Sequence, residues 1–158
     1  MKLEIEQLSK HFTGNQYPAV DDITFSMQAH EILSFVGPSG CGKTTTLRLI
    51  AGLERPDQGI IRLDQRIISD AHTFVSPEKR NIGMVFQDHA LFPHLSVFDN
   101  IAFGLKGFTK AEKKDRVSEL LELVGVEPLA KRFPHVLSGG ERQRVALARA
   151  LAPEPALL

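Results

Sequence analysis

At 158 residues, 42% apolar and 24% charged, the chain is long enough for one domain with a real core, or for one domain plus a subdomain. Nineteen basic and nineteen acidic residues cancel, which argues against nucleic acid as a partner, and the single cysteine, Cys41, excludes an internal disulfide and fits a reducing compartment. No apolar stretch approaches the roughly twenty residues needed to cross a bilayer, and Met1–Glu6 lacks the apolar block of a signal peptide, so the expected place is the cytosol unless a partner holds the chain at a membrane.

Leu3, Ile5 and Leu8 put one apolar face on a first strand, and Val20 to Met27 continues with Ile23 and Phe25 alternating. A turn-rich segment from Thr13 to Pro18 lies between them. Phe12, just before that turn, has two readings: a ring lying flat against an adenine, or a core aromatic. Ile32 to Val36 is a short apolar run suited to a buried strand, and Thr45 to Leu53 has the pattern of a helix ended by Gly52.

Between these two lies Gly37-Pro38-Ser39-Gly40-Cys41-Gly42-Lys43-Thr44-Thr45, which satisfies the phosphate-binding pattern G-x-x-x-x-G-K-[ST]. Gly37, Gly40 and Gly42 are expected at positive φ, so that successive N–H groups turn inward around an anion. The helix opening near Lys43 adds unpaired N–H groups and a positive dipole end. Lys43 is expected to reach the β- and γ-phosphates, and the Thr44 hydroxyl to bind Mg²⁺.

Pro56 to Gly59 is a turn, followed by expected strands at 60–63 and 66–68 and a polar loop over 70–79. Ile82, Met84, Val85 and Phe86 predict a second apolar strand ending at Gln87-Asp88. A polar residue at the carboxyl end of such a strand is placed to meet a ligand, so Gln87 is a candidate for the metal or an attacking water. Ser96 with Asp99, and Thr109 with Glu112, mark two helix starts, the second followed by the stripe Val117, Leu120, Leu121 and Val124. Apolar surface around Phe92, Leu95 and Phe98 is either core or a docking patch. The six histidines, at 11, 30, 72, 89, 94 and 135, lack the pairing of a zinc site.

A second glycine-bearing helix start follows at Leu137-Ser138-Gly139-Gly140-Glu141, where Ser138 caps and Glu141 completes a capping box. Its two glycines leave the backbone bare for close approach of an anion. A kinase or small GTPase sharing the first loop gives no account of this one.

Taken together, the two motifs resemble the nucleotide-binding subunit of ATP-binding-cassette (ABC) transporters. Gly37 to Thr44 resembles that family's Walker A loop, Gln87 its Q-loop, Leu137 to Glu141 its LSGGQ signature and Phe12 its adenine-stacking aromatic. The resemblance implies an α/β P-loop NTPase core with an N-terminal antiparallel β part and a helical subdomain. The expected division is 1–90 for the β part and P-loop core, 91–151 for the helical subdomain and 152–158 for the start of the Walker B strand. It further implies ATP and Mg²⁺ at Gly37 to Thr45, with Thr44 and Gln87 on the metal. Two copies are expected to close head to tail, Ser138, Gly139, Gly140 and Glu141 of one lying near the γ-phosphate bound by the other. The segment Gln87 to Phe103 is similar to the surface that receives the permease, with a periplasmic or surface solute-binding protein acting indirectly. The implied place is the cytoplasmic face of the inner membrane, as a peripheral subunit. Within the family, 81–105 is most similar to bacterial importer ATPases of the ferric-iron, polyamine, sulfate and thiamine group, with ferric iron the expected solute.

Two departures shape the expectation. Glu141 stands where the signature commonly has Gln, placing a carboxylate near the partner's γ-phosphate. The chain also stops at Pro155-Ala156-Leu157-Leu158, the opening of the strand that in the family leads to the Walker B aspartate and the catalytic glutamate. A truncated chain of this kind is expected to bind nucleotide weakly and barely hydrolyse it. The competing readings are a non-catalytic nucleotide-binding fragment and an ABC ATPase without a transporter.

Overall fold

The computed structural model describes residues 2–158 and resolves into two compact units, Met1–Asn81 and Ile82–Leu158. The division falls earlier in the chain than the 90/91 boundary expected from the sequence.

The first unit is an antiparallel sheet with one helix inserted into its connectivity. Strands β1 (Lys2–Lys10), β2 (Val20–Gln28), β3 (Gln58–Leu63) and β4 (Arg66–Ser69) lie in the order β2-β1-β3-β4. Helix α1 (Lys43–Ala51) falls between β2 and β3 in sequence. Leu3 and Ile5 face Met27 and Phe25 on one side and Leu63 and Ile61 on the other. Leu8 is out of step with Leu3 and Ile5 under strict alternation. A register shift between Ile5 and Leu8, with Gln7 at φ 48°, restores it to the buried face. The Thr24 hydroxyl accepts the displaced Gln7 N–H at 2.9 Å, and Leu3, Ile5 and Leu8 are all buried.

The expected buried strand at Ile32 to Val36 does not form. This segment carries no strand, and Ile32 and Val36 are 97% and 93% exposed. A strand exists only as a member of a ladder, and among the described residues no neighbour pairs with this one. Within the segment, Phe35 packs edge-on to Phe25 of β2, with centroids 5.4 Å apart.

Arg80 fixes the far end of α1. It is 2% exposed, and its Nη1 donates to Leu49 O at 2.9 Å and Ile50 O at 2.8 Å, while Nε donates to Val75 O at 2.7 Å. Last-turn helix carbonyls have no partner inside the helix, and here a guanidinium supplies one. Gly52 follows in the left-handed region at φ 79°, and a Cβ there would collide with the Arg80 guanidinium. Phe74 covers the guanidinium, whose carbon lies 5.0 Å from the ring centroid. Burial pushes the Arg80 pKa down to about 10, leaving it charged at neutral pH.

The second unit is helical: α2 (Val97–Ala102), α3 (Lys110–Val124) and α4 (Gly139–Leu151) enclose a core of Val97, Ile101, Val117, Leu120, Leu121, Val145 and Ala148. Both expected helix starts occur. Ser96 Oγ accepts from Asp99 N at 3.1 Å, and Thr109 with Glu112 forms a full capping box. The strand expected at Ile82 to Phe86 shrinks to a single parallel bridge, Ile82 to Leu157, with Gly83 N donating to Leu157 O at 2.8 Å. Asn100, fully buried within the apolar α2, anchors the preceding loop by accepting from Phe92 N and donating to Phe92 O, Leu95 O and Ser96 O at 2.9–3.1 Å. Among the described residues no helix is long and apolar enough to cross a membrane.

Removing the Arg80 fork leaves orphaned carbonyls at the end of α1. Arg80→Met is expected to lower the urea-unfolding free energy by about 3 kcal/mol, against about 0.5 kcal/mol or less for the exposed Arg66→Met.

Candidate functional site

The phosphate-loop candidate is built from backbone conformation more than from side chains. Gly40 and Gly42 occupy the left-handed region at φ 84° and 88°. Gly42 is the residue before α1, and a Cβ on it would collide with the carbonyl oxygen of Ala19. That position therefore requires glycine for both conformation and space. Gly37 differs from expectation, since it is not at positive φ. Its missing side chain serves packing, because a Cβ there would lie 2.7 Å from Cys41 Sγ. Pro38 and Ser39 are exposed between these glycines, and Cys41 is a free, exposed thiol.

Lys43 is the first residue of α1, and its ammonium folds back onto the loop. It donates to Gly37 O and Pro38 O at 2.7 Å each and lies 3.4 Å from Cys41 Sγ. A positive charge is thus held against the same loop whose N–H groups open α1. The neighbouring threonines divide their roles. Thr46 is buried and spends its hydroxyl on Gly42 O at 3.0 Å, whereas Thr44 is exposed and, among the described residues, no hydrogen bond engages its hydroxyl. Thr45, between them, is half-buried.

Phe12 is half-buried at the entry to the turn preceding β2, with Lys10 Nζ 5.4 Å from its ring centroid. Ala19 N donates to Lys10 O at 2.8 Å and closes this turn, which brings Ala19 and Val20 against Gly42.

In the second unit, Gln87 is exposed in a turn. Phe92, Leu95 and Phe98 are half-buried, so the exposed apolar surface of that stretch is carried by Phe103, at 56%. Ser138 caps α4. Its N–H and its hydroxyl each donate to Glu141 Oε2 at 2.7 Å, and Glu141 N donates back to Ser138 Oγ at 3.3 Å. Glu141 therefore turns toward its own cap, as the capping-box reading expects. The Ser138 hydroxyl, then its N–H, holds the Glu141 carboxyl below the usual range, and the Arg144 charge adds a smaller effect. Gly139 and Gly140 are exposed, and a Cβ on either would meet nothing within 4 Å. Packing inside the chain gives no reason for glycine at these two positions.

Arg80, Asn100 and Arg149 escape motif reading because each looks like an ordinary polar residue. The available signal was a lone polar side chain inside an apolar run, as at Arg149 in α4.

The family model described as "ABC transporter" matches residues 20–158. The sulfate/thiosulfate import ATP-binding protein CysA of Pseudomonas aeruginosa is 49% identical over 164 residues, covering 100% of this chain and 48% of that protein. The Fe(3+) ions import ATP-binding protein FbpC 2 of Pectobacterium atrosepticum is 52% identical over 157 residues, covering 99% and 44%. The chain thus spans about half the length of the curated relatives it matches. The dimeric post-hydrolysis structure of the ATP-binding cassette MJ0796, bound to ADP and Pi, superposes with a TM-score of 0.86 at 31% identity over 97% of this chain and 70% of that one.

The Glu141 carboxylate has a checkable pH signature. Because its folded pKa is depressed, its capping contribution is present above the ordinary carboxylate value and is lost as pH falls through the lowered one. An NMR titration of Glu141 should move up toward the ordinary value in Ser138→Ala. An unchanged midpoint would remove Ser138 as the cause.

Proposed function

The chain belongs to the ABC transporter family, and on that premise we propose that it is the ATP-binding subunit of an import system, coupling ATP binding and hydrolysis to solute uptake. The observation that carries the reading is the left-handed pair Gly40 and Gly42 at the head of α1, with the Lys43 ammonium held on the loop. In this reading Lys43 exchanges Gly37 O and Pro38 O for β- and γ-phosphate oxygens, which form stronger charge-assisted bonds. Loop N–H groups take the remaining phosphate charge, and Phe12 stacks on the adenine.

Mg²⁺ fits the donors available. Among the described residues no group of three His, Cys, Asp or Glu could hold a metal, whereas the Thr44 hydroxyl is uncommitted. A hydroxyl plus phosphate oxygens and water is the coordination Mg²⁺ favours, and the ion supplies neutralisation of phosphate charge when bound. Thr44 is assigned as its hydroxyl ligand, and Gln87 as a side-chain amide that orients the metal or the attacking water.

The partner of this subunit is a second copy, arranged head to tail. Ser138, Gly139 and Gly140 of one copy then meet the γ-phosphate held by the other, with Glu141 kept back on its cap. The open space over both glycines supports this, as does the dimer formed by MJ0796. Residues 87–103, with exposed Phe103, form the surface for a membrane permease. The subunit then sits peripherally on the cytoplasmic face of the membrane, and a solute-binding protein acts through the permease. The solute is ferric iron, in line with the ferric-iron relatives; the sulfate relatives make sulfate the second reading.

Uptake measured in cells carrying either the wild-type or the Lys43→Ala gene tests this. Lys43→Ala should abolish uptake of radiolabelled ferric iron and leave sulfate uptake unchanged. Loss of sulfate uptake alone would transfer the assignment to sulfate, and no change in either would overturn the importer reading.

A further inference from the structure

A short piece of strained backbone follows Gln87. His89 and Ala90 are consecutive non-glycine residues at φ 64° and 46°, a region that side chains with a Cβ rarely adopt and that persists only where the surroundings enforce it. The enforcing group is Arg149, near the C-terminal end of α4. Its Nη1 donates to Ala90 O at 2.7 Å and its Nη2 to His89 O at 3.1 Å, one fork spanning the carbonyls of both strained residues. No carboxylate pairs with Arg149 among the described residues. Its guanidinium carbon lies 5.4 Å from the Phe92 ring centroid, and that ring packs on Phe103 with centroids 4.3 Å apart. Two residues beyond Ala90, the Asn100 side chain takes over and fastens Phe92, Leu95 and Ser96 to α2. The loop is therefore held to α4 at one end and to α2 at the other.

We propose that Arg149 is a positioning residue. By holding His89 and Ala90 in their strained form, it ties the turn that carries Gln87 to the helix capped by Ser138, so that the two move as one body. The role rests on the preceding assignment of Gln87 and Ser138 to nucleotide contact. A guanidinium suits it, since its rigid planar fork holds two donors at a fixed separation, whereas a lysine ammonium is a compact charge on a flexible stem.

Hydrogen exchange followed by mass spectrometry on the wild type, Arg149→Met and Arg149→Lys, each with and without MgATP, tests it. Arg149→Met should speed exchange in the 87–92 segment by about tenfold or more, with α3 staying within about twofold of wild type. Arg149→Lys should fail to restore the wild-type rate, and it carries the test if Arg149→Met does not fold. Unchanged exchange at 87–92, an equal rise across α3, or wild-type behaviour of Arg149→Lys would each overturn the proposal. MgATP protection over 37–45 in the wild type is read in the same experiment. Its absence would count against the nucleotide assignment, while the 87–92 rates still judge the role of Arg149.

Discussion

Helix α1, behind the Gly37 to Thr45 loop, has two ends with opposite electrical needs. At its start, N–H groups must stay uncovered if an anion is to use them, and at its end the carbonyls must be covered because they are buried. Gly42 meets the first need, turning the chain into α1 with no side chain over the entrance, and Ala19 O occupies the space a Cβ would fill. Arg80 meets the second by giving three hydrogen bonds to carbonyls, two of them at the end of α1. Gly52 lies where the two requirements of the far end coincide, since it must be left-handed and must admit a guanidinium. A buried charge is costly to strand, so the same contacts that complete the helix make Arg80 hard to replace.

The helical unit handles an analogous helix start with a side chain. Ser138 and Glu141 close a capping box on α4, which engages the N–H groups of these two residues and draws the Glu141 carboxylate back onto its own cap. The bare backbone of Gly139 and Gly140 remains accessible beside it. One helix start thus depends on positive φ and a lysine, the other on a box and two unobstructed glycines. Both present N–H groups where negative charge is favoured, which is the common chemical logic of the two motifs.

Much of this was legible in the residues. The loop, the strands of the first unit and the starts of α2, α3 and α4 follow from alternation, turn residues and capping pairs, all local signals. Ile32 to Val36 and Ile82 to Phe86 show the limit of such signals. Their apolar content is right for strands, but a strand is defined by the neighbour it bonds, and that is not written in the segment itself. Gly37 shows another limit: the motif demands glycine, and its cause here is the nearby Cys41 sulfur, not a left-handed turn. Arg80 and Arg149 act through carbonyls distant in sequence, and Asn100 through those of the loop that folds back over its own helix. Their roles become visible only when the chain is folded.

In the proposed function the Gly37 to Thr45 loop, headed by Lys43, is the nucleotide's phosphate site. Titration calorimetry of MgATP into the protein, beside Lys43→Ala, tests this most directly. Saturable one-site binding is expected in the wild type, weakened by about tenfold or more in Lys43→Ala through loss of a charge-assisted phosphate contact. Equal affinity in the two proteins would contradict it.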